Sequence, residues 1–112
     1  MKFLFAIVSV LLVGNVALAA SKDVTGSVGD IRYHIDNGSM APSWNGGIWF
    51  QLKEASESFC NQNKVSVPPG NDIAVSMLLA AKMAGKQVLV TVDDSELYPA
   101  GAYCKLQYIT VL

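Results

Sequence analysis

The amino-acid sequence predicts a mainly β domain with one helix. Three observations lead there. Short runs of alternating or β-branched residues recur along the chain, at 31–35, 48–53, 86–92 and 103–112. One longer stretch, Ile73 to Ala84, contains no Gly or Pro and is filled with Ala, Leu and Met. Clusters of Gly, Pro, Asn and Asp separate these runs. The order is strand, strand, weak strand, helix, strand, strand. It fits a small five-stranded barrel of the OB type, with the helix between strands 3 and 4.

Each element has its own warrant. Residues 21–30 are polar and contain Gly, and read as a loose start. From Ile31 the chain alternates, with Ile31, Tyr33 and Ile35 on one face and Arg32, His34 and Asp36 on the other. Asn37-Gly38-Ser39 ends that strand, and a loop continues through Pro42 and Asn45-Gly46-Gly47. Ile48 to Lys53 is rich in aromatic and β-branched residues and forms the second strand. Val65-Ser66-Val67 makes a short third strand, or Phe59 and Cys60 belong to it. Pro68-Pro69-Gly70 stops it, and Asn71 and Asp72 offer side-chain oxygens to cap the helix that follows. Gly85 stands where a helix reverses into the left-handed conformation. Lys86 to Val92 is the fourth strand, Asp93-Asp94-Ser95 and Pro99-Ala100-Gly101 bound a loop, and Tyr103 to Leu112 is the last strand.

Composition separates the chain into two parts. It has 112 residues, 8 basic and 9 acidic, with 52% hydrophobic residues and a mean hydropathy of +0.36. Much of that greasiness is local, because in residues 1–20 only Lys2, Ser9, Gly14 and Asn15 fall outside the apolar set. The remainder is about 46% apolar, an ordinary value for a globular domain. Lys2, the apolar run Phe3–Val13 and the small-x-small triplet Ala17-Leu18-Ala19 spell an export signal, cleaved after Ala19 or Ala20. The run is shorter than the roughly 20 residues that span a bilayer. Residues 1–20 are therefore a signal peptide, residues 21–112 the OB-type domain, and the expected location secreted or periplasmic in a bacterium, with no membrane span once the signal is removed. A net charge of -1 leaves no basic surface for nucleic acid.

Export decides how the two cysteines are read. Cys60 and Cys104 both lie in the mature chain, and an oxidising compartment favours a bond between them. Closing so long a loop stabilises a fold by roughly 4 kcal/mol in the chain-entropy description. A redox-active pair would need a C-x-x-C spacing that the sequence lacks. Two distant cysteines and one histidine do not make a zinc site.

The helix raises a question of its own. On a helical wheel Val75, Leu78 and Leu79 gather on one side, and Ile73, Met77, Ala80, Ala81 and Ala84 on the other. The polar residues Ser76 and Lys82 do not share a face. A helix that is apolar all round must be covered all round, and a small barrel covers only one side. Either residues 54–70 fold over the second side or a homo-oligomer contact does, with Ile73, Met77, Ala80, Ala81 and Ala84 at the interface.

The stretch Asp72 to Val111 resembles the second half of the B subunits of bacterial AB5-type toxins, closest to the subtilase-cytotoxin and typhoid-toxin branch. The likeness rests on the apolar helix ending in Ala84-Gly85-Lys86, the alternating Val strand Gln87–Val92 and the last strand with Tyr103-Cys104. It is also similar to a broad set of small secreted bacterial proteins with the same signature. The resemblance implies an OB fold, a pentamer with helices lining a central pore, and glycan binding on the outer barrel. The sugar-binding residues of those toxins have no residue-by-residue match in 24–60, so no sugar site is transferred.

Candidate chemistry is sparse. Aromatic faces stack on the apolar side of a sugar ring while amides and carboxylates bond its hydroxyls. Tyr33, Trp44, Trp49 and Tyr98 are the aromatic candidates. Trp44 beside Asn45 in a loop, together with Tyr98, makes the expected ligand site, while Trp49 is assigned to the core. Asp93, Asp94 and Glu96 could ligate calcium or act as paired acid and base, but a solvated turn is the simpler reading. His34 reads as a surface histidine. Asn37-Gly38-Ser39 matches a glycosylation acceptor that a bacterial chain would not use. No P-loop, dinucleotide fingerprint, H-E-x-x-H or G-x-S-x-G elbow is present, so neither an enzyme nor a cofactor is expected. The expected function is a secreted, disulfide-stapled oligomeric binding module for a glycan or cell surface. The alternative is a small exported structural or inhibitor-like protein acting through a protein interface.

Overall fold

The computed structural model of the chain describes residues 21–112. The export signal read in residues 1–20 lies outside them. Strand β1 runs from Ser21 to Tyr33, β2 from Ile48 to Lys53 and β3 from Lys64 to Val67. Helix α1 spans Asp72–Ala84, followed by β4 at Gln87–Tyr98 and β5 at Tyr103–Val111. The strands close into a barrel in the order β1-β2-β3-β5-β4, with β4 returning to β1. All neighbours are antiparallel except β3 and β5, which pair in parallel at Val65–Cys104 and Ser66–Lys105. This is the OB arrangement, with the helix between the third and fourth strands.

The start of β1 corrects the expectation of a loose segment. Residues 21–27 pair with β4 over the register Ser21–Asp93 to Ser27–Gln87. Val24, Gly26 and Val28 point inward with the strand period of two. The alternation escapes notice because its middle member is glycine. Glycine is required there: a Cβ on Gly26 would stand 2.8 Å from the Lys53 carbonyl oxygen. The register of β1 against β2 shifts between Val28 and Ile31, a bulge that redirects the strand. The strand then ends at Tyr33, so Ile35, expected on its inner face, lies in the following loop and is exposed.

The barrel core is built from β-branched and aromatic residues. Val24, Phe50, Leu52, Val65, Val67, Val88, Val90 and Val92 are almost fully buried. Phe59 joins them from the loop after β2, so neither Phe59 nor Cys60 belongs to β3. Of the adjacent pair on β2, Phe50 enters the core. Trp49 takes the other face of the strand, outside the cluster around Phe50, because neighbours on a strand face opposite sides, and it is buried there as expected. Trp49 is only 9% exposed. The Arg32 guanidinium lies 5.1 Å and the Lys64 ammonium 4.4 Å from its ring centroid, and Tyr103 packs edge-on at 6.0 Å. Buried Ser66 shares its hydroxyl between the carbonyls of Tyr103 (3.3 Å) and Cys104 (3.2 Å), which ties the short parallel β3–β5 contact together.

Helix α1 packs on the barrel through Leu78 and Ala81, with Ala74 and Val75 partly buried beside them. Ala81 is 1% exposed. It therefore belongs to the chain's own core and not to the outer interface set in which the helical wheel placed it. The capping differs from expectation at the first end: the Asn71 side chain donates to the Pro68 carbonyl at 2.8 Å and makes no cap to the helix amides. At the last end Gly85 adopts φ 67° and the Lys86 amide donates to Ala81 O at 2.9 Å, as the sequence indicates. Strand β4 continues past Val92 to Tyr98 through an irregularity, so Asp93-Asp94-Ser95 interrupts pairing within a strand and is not a connecting loop. Cys60 and Cys104 form a disulfide with an S–S distance of 2.07 Å, joining the β2–β3 connection to β5. No helix among the described residues is long and apolar enough to cross a membrane.

Candidate functional site

The connection between β1 and β2 is the most featured part of the surface. Its ends are clamped: the His34 amide donates to Gly47 O at 2.9 Å, and the Gly46 amide to His34 O at 2.8 Å. Pro42, favoured at the first position of a helical turn, starts a single 3-10 turn ending at Trp44. That turn swings the indole back over the barrel. Trp44 stacks on His34 with centroids 5.1 Å apart and planes 19° off parallel. Tyr98 meets it edge-on at 5.9 Å, and Tyr103 lies tilted at 5.8 Å. The Asn45 side-chain nitrogen donates to Gly38 O at 3.1 Å and so holds the outer part of the loop.

Trp44, Asn45 and Tyr98 therefore do come together, although 54 positions separate the first from the last. Their role differs from the expected one. Trp44 is half-buried and packed by three aromatic neighbours, which makes it the hub that shapes the loop. The buried Nε2 of His34 has no hydrogen-bond partner, as befits a ring pressed against the indole. The aromatic ring of this region that is open to solvent is Tyr33, 56% exposed. It lines a concavity of about 430 Å³ together with Ile35, Asn37, Ser39, Met40 and Asn45. Sequence reasoning named Tyr33 among the aromatics but placed it on the buried face of a strand. Tyr33 is instead the last residue of β1, beyond the register shift between Val28 and Ile31, and it is exposed.

The acidic segment has structural tasks. Asp93 accepts hydrogen bonds from the Ser95 hydroxyl (2.7 Å) and amide (2.8 Å), and the hydroxyl bond first, then the amide bond, lowers its pKa from the ordinary aspartate value. Glu96 pairs with Lys105 at 3.2 Å. Asp94 lies beside the disulfide, and its carboxylate and the two sulfurs fall within 4.8 Å of one another. Those sulfurs are bonded to each other, so they offer no thiolate to a metal.

The outer flank of α1 is the second notable surface. Ile73 is 79% and Met83 87% exposed, and Asp72, Ile73, Ser76, Met77 and Ala80 line a shallow, mostly apolar groove. The loop after β2 does not cover it, since its Phe59 is spent on the barrel core. Comparisons with protein-family models, with curated proteins and with solved structures find no match to this chain.

Proposed function

We propose that this chain is an exported, disulfide-stapled binding module that self-associates through α1 and contacts a glycan on a target surface through the β1–β2 loop. The observation that carries this reading is the exposed Tyr33 ring at the edge of a concavity walled by Asn37, Ser39 and Asn45. An aromatic face beside two amides and a hydroxyl matches the two sides of a pyranose, one apolar and one hydroxylated. The export signal and the disulfide support an extracytoplasmic location. The resemblance of residues 72–111 to AB5 toxin B subunits would make the assembly a pentamer. It contributes nothing to the identity of the sugar.

A second reading is favoured by Met40, 97% exposed, and Ile35, 64% exposed, at the same rim. Flexible and branched apolar side chains of that kind suit a protein partner. A glycan array probed with the mature protein separates the two. Binding to a glycan class, lost in Tyr33→Ala while the thermal transition stays in place, is the expected result. An array without hits overturns the glycan reading and leaves the protein interface.

A further inference from the structure

We infer a second binding site, for small amphipathic carboxylates, in the groove between the bulged end of β1 and helix α1. The groove encloses about 530 Å³ and is lined by Asp30, Ile31, Arg32, Trp49, Leu79 and Lys82. Its chemistry is mixed in an ordered way. Ile31, Leu79 and the little of Trp49 that is exposed supply its apolar surface, and Asp30, Arg32 and Lys82 supply a polar surface of similar extent.

Both cations are held by the fold and lack a carboxylate. Arg32 lies over the Trp49 ring, which fixes the planar guanidinium while leaving its N–H donors unspent. Lys82 reaches across from α1 to donate to the Gly29 carbonyl in the bulge, which spends one of its three donors. The salt bridges among the described residues are Lys22–Glu57 and Lys105–Glu96, so neither Arg32 nor Lys82 is neutralised. Asp30 is the single acid of the groove and stands beyond ion-pair distance of both. The local charge is therefore net positive in a protein whose formal charge is -1.

One negative group joined to a short apolar body satisfies this groove. An inorganic anion would leave Ile31 and Leu79 wet, and a neutral alcohol would leave two cations unpaired. A polyanion would bring excess charge against Asp30. The site depends neither on the β1–β2 loop nor on self-association. Leu79 and Lys82 lie well round the helix from Ile73, Met77, Ala80 and Ala84, so a contact centred on those four residues leaves the groove open.

The test is a titration of the isotopically labelled mature chain at neutral pH, followed by NMR, with hexanoate, 1-hexanol and sulfate as probes. Hexanoate should shift the signals of Asp30–Arg32, the Trp49 indole, Leu79 and Lys82, and bind at least about tenfold more tightly than hexanol or sulfate. Arg32→Gln should weaken hexanoate by about tenfold. Asp30→Asn, which keeps every contact to Trp49, should tighten it by about threefold. It serves as the deciding variant where Arg32→Gln fails to fold. Equal binding of hexanol or sulfate, shifts confined to other residues, or affinity unchanged in Asp30→Asn would overturn the assignment.

Discussion

Asp93 shows how a polar residue inside a strand serves the fold. Its carboxylate takes two hydrogen bonds from Ser95 and bridges the place where β4 leaves its register with β5. Those bonds favour the charged form, so the folded pKa lies below the unfolded one. Stability from this turn is therefore present above the unfolded pKa and lost as pH falls through the folded value. The carboxylate stands at the surface with Ser95 as its hydrogen-bond partner, which keeps the effect local. Replacing Ser95 by Ala removes the hydroxyl bond, the larger cause. The Asp93 titration midpoint, followed by NMR of the carboxyl carbon, should then rise toward the ordinary aspartate value. A midpoint unmoved by the substitution would mean that Ser95 does not hold the charge. Trp49 illustrates a different difficulty at this scale. Trp49 and Phe50 are adjacent and both bulky, so the strand period demands that one face out without saying which. The outward place can take a tryptophan because Arg32, Lys64 and Tyr103 cover it, and those partners come from three other strands or their ends.

The disulfide links the least regular element to the most buried pairing. Cys60 sits in a connection where Cys60, Gln62 and Asn63 all have positive φ, conformations that L-residues adopt at some cost. Cys104 pairs with Val65 on β3 and with Leu97 on β4. The bond thus holds Phe59, one residue away, in the barrel core. The double variant Cys60→Ala, Cys104→Ala should lose about 2–4 kcal/mol in urea unfolding, and a loss below about 0.5 kcal/mol would show that packing alone secures the loop. What could be read from the sequence follows the same division between local and distant causes. Helix α1 and its Gly85 terminus were legible because a helix is specified by its own residues. The disulfide was legible because a chain with only two cysteines offers each a single partner. The first ten residues of β1 and the last six of β4 were not. Both stretches are polar and the first also carries glycine, and each becomes a strand because another strand supplies its ladder: β4, 60 or more residues on, for the start of β1, and Cys104 and Tyr103 across the turn for Leu97 and Tyr98. Among the ligand candidates, the convergence of Trp44 with Tyr98 could be guessed from residue type, while the exposure of Tyr33 goes with its place at the last position of β1, where the strand stops.

At the scale of the molecule the apolar outer flank of α1 is the feature on which the proposed assembly turns. Ile73, Met77, Ala80, Met83 and Ala84 face away from a core that is already complete through Leu78 and Ala81. Burying a large aliphatic side chain is worth about 1.5–3 kcal/mol, so a contact that covers Ile73 and Met83 on each copy recovers a free energy that the isolated chain forgoes. Small residues at positions 80 and 84 let two helices approach closely, and a charge there would be buried without a partner. The mature protein at about 100 µM should accordingly scatter light as an oligomer, and its melting temperature should rise with concentration. Ala80→Glu should return it to a monomer that retains the barrel's circular dichroism. The consequence for binding then separates assembly from the site itself. Each loop concavity is shallow, and a surface bearing many copies of its ligand would hold the oligomer about 10²–10⁴ times more tightly than one site does. Ala80→Glu should lose that gain on a ligand-coated surface while leaving the affinity for a soluble monovalent ligand unchanged. A wild-type protein that is strictly monomeric, or a monomeric variant that binds the surface as well as the parent does, would show that the helix flank takes no part in recognition.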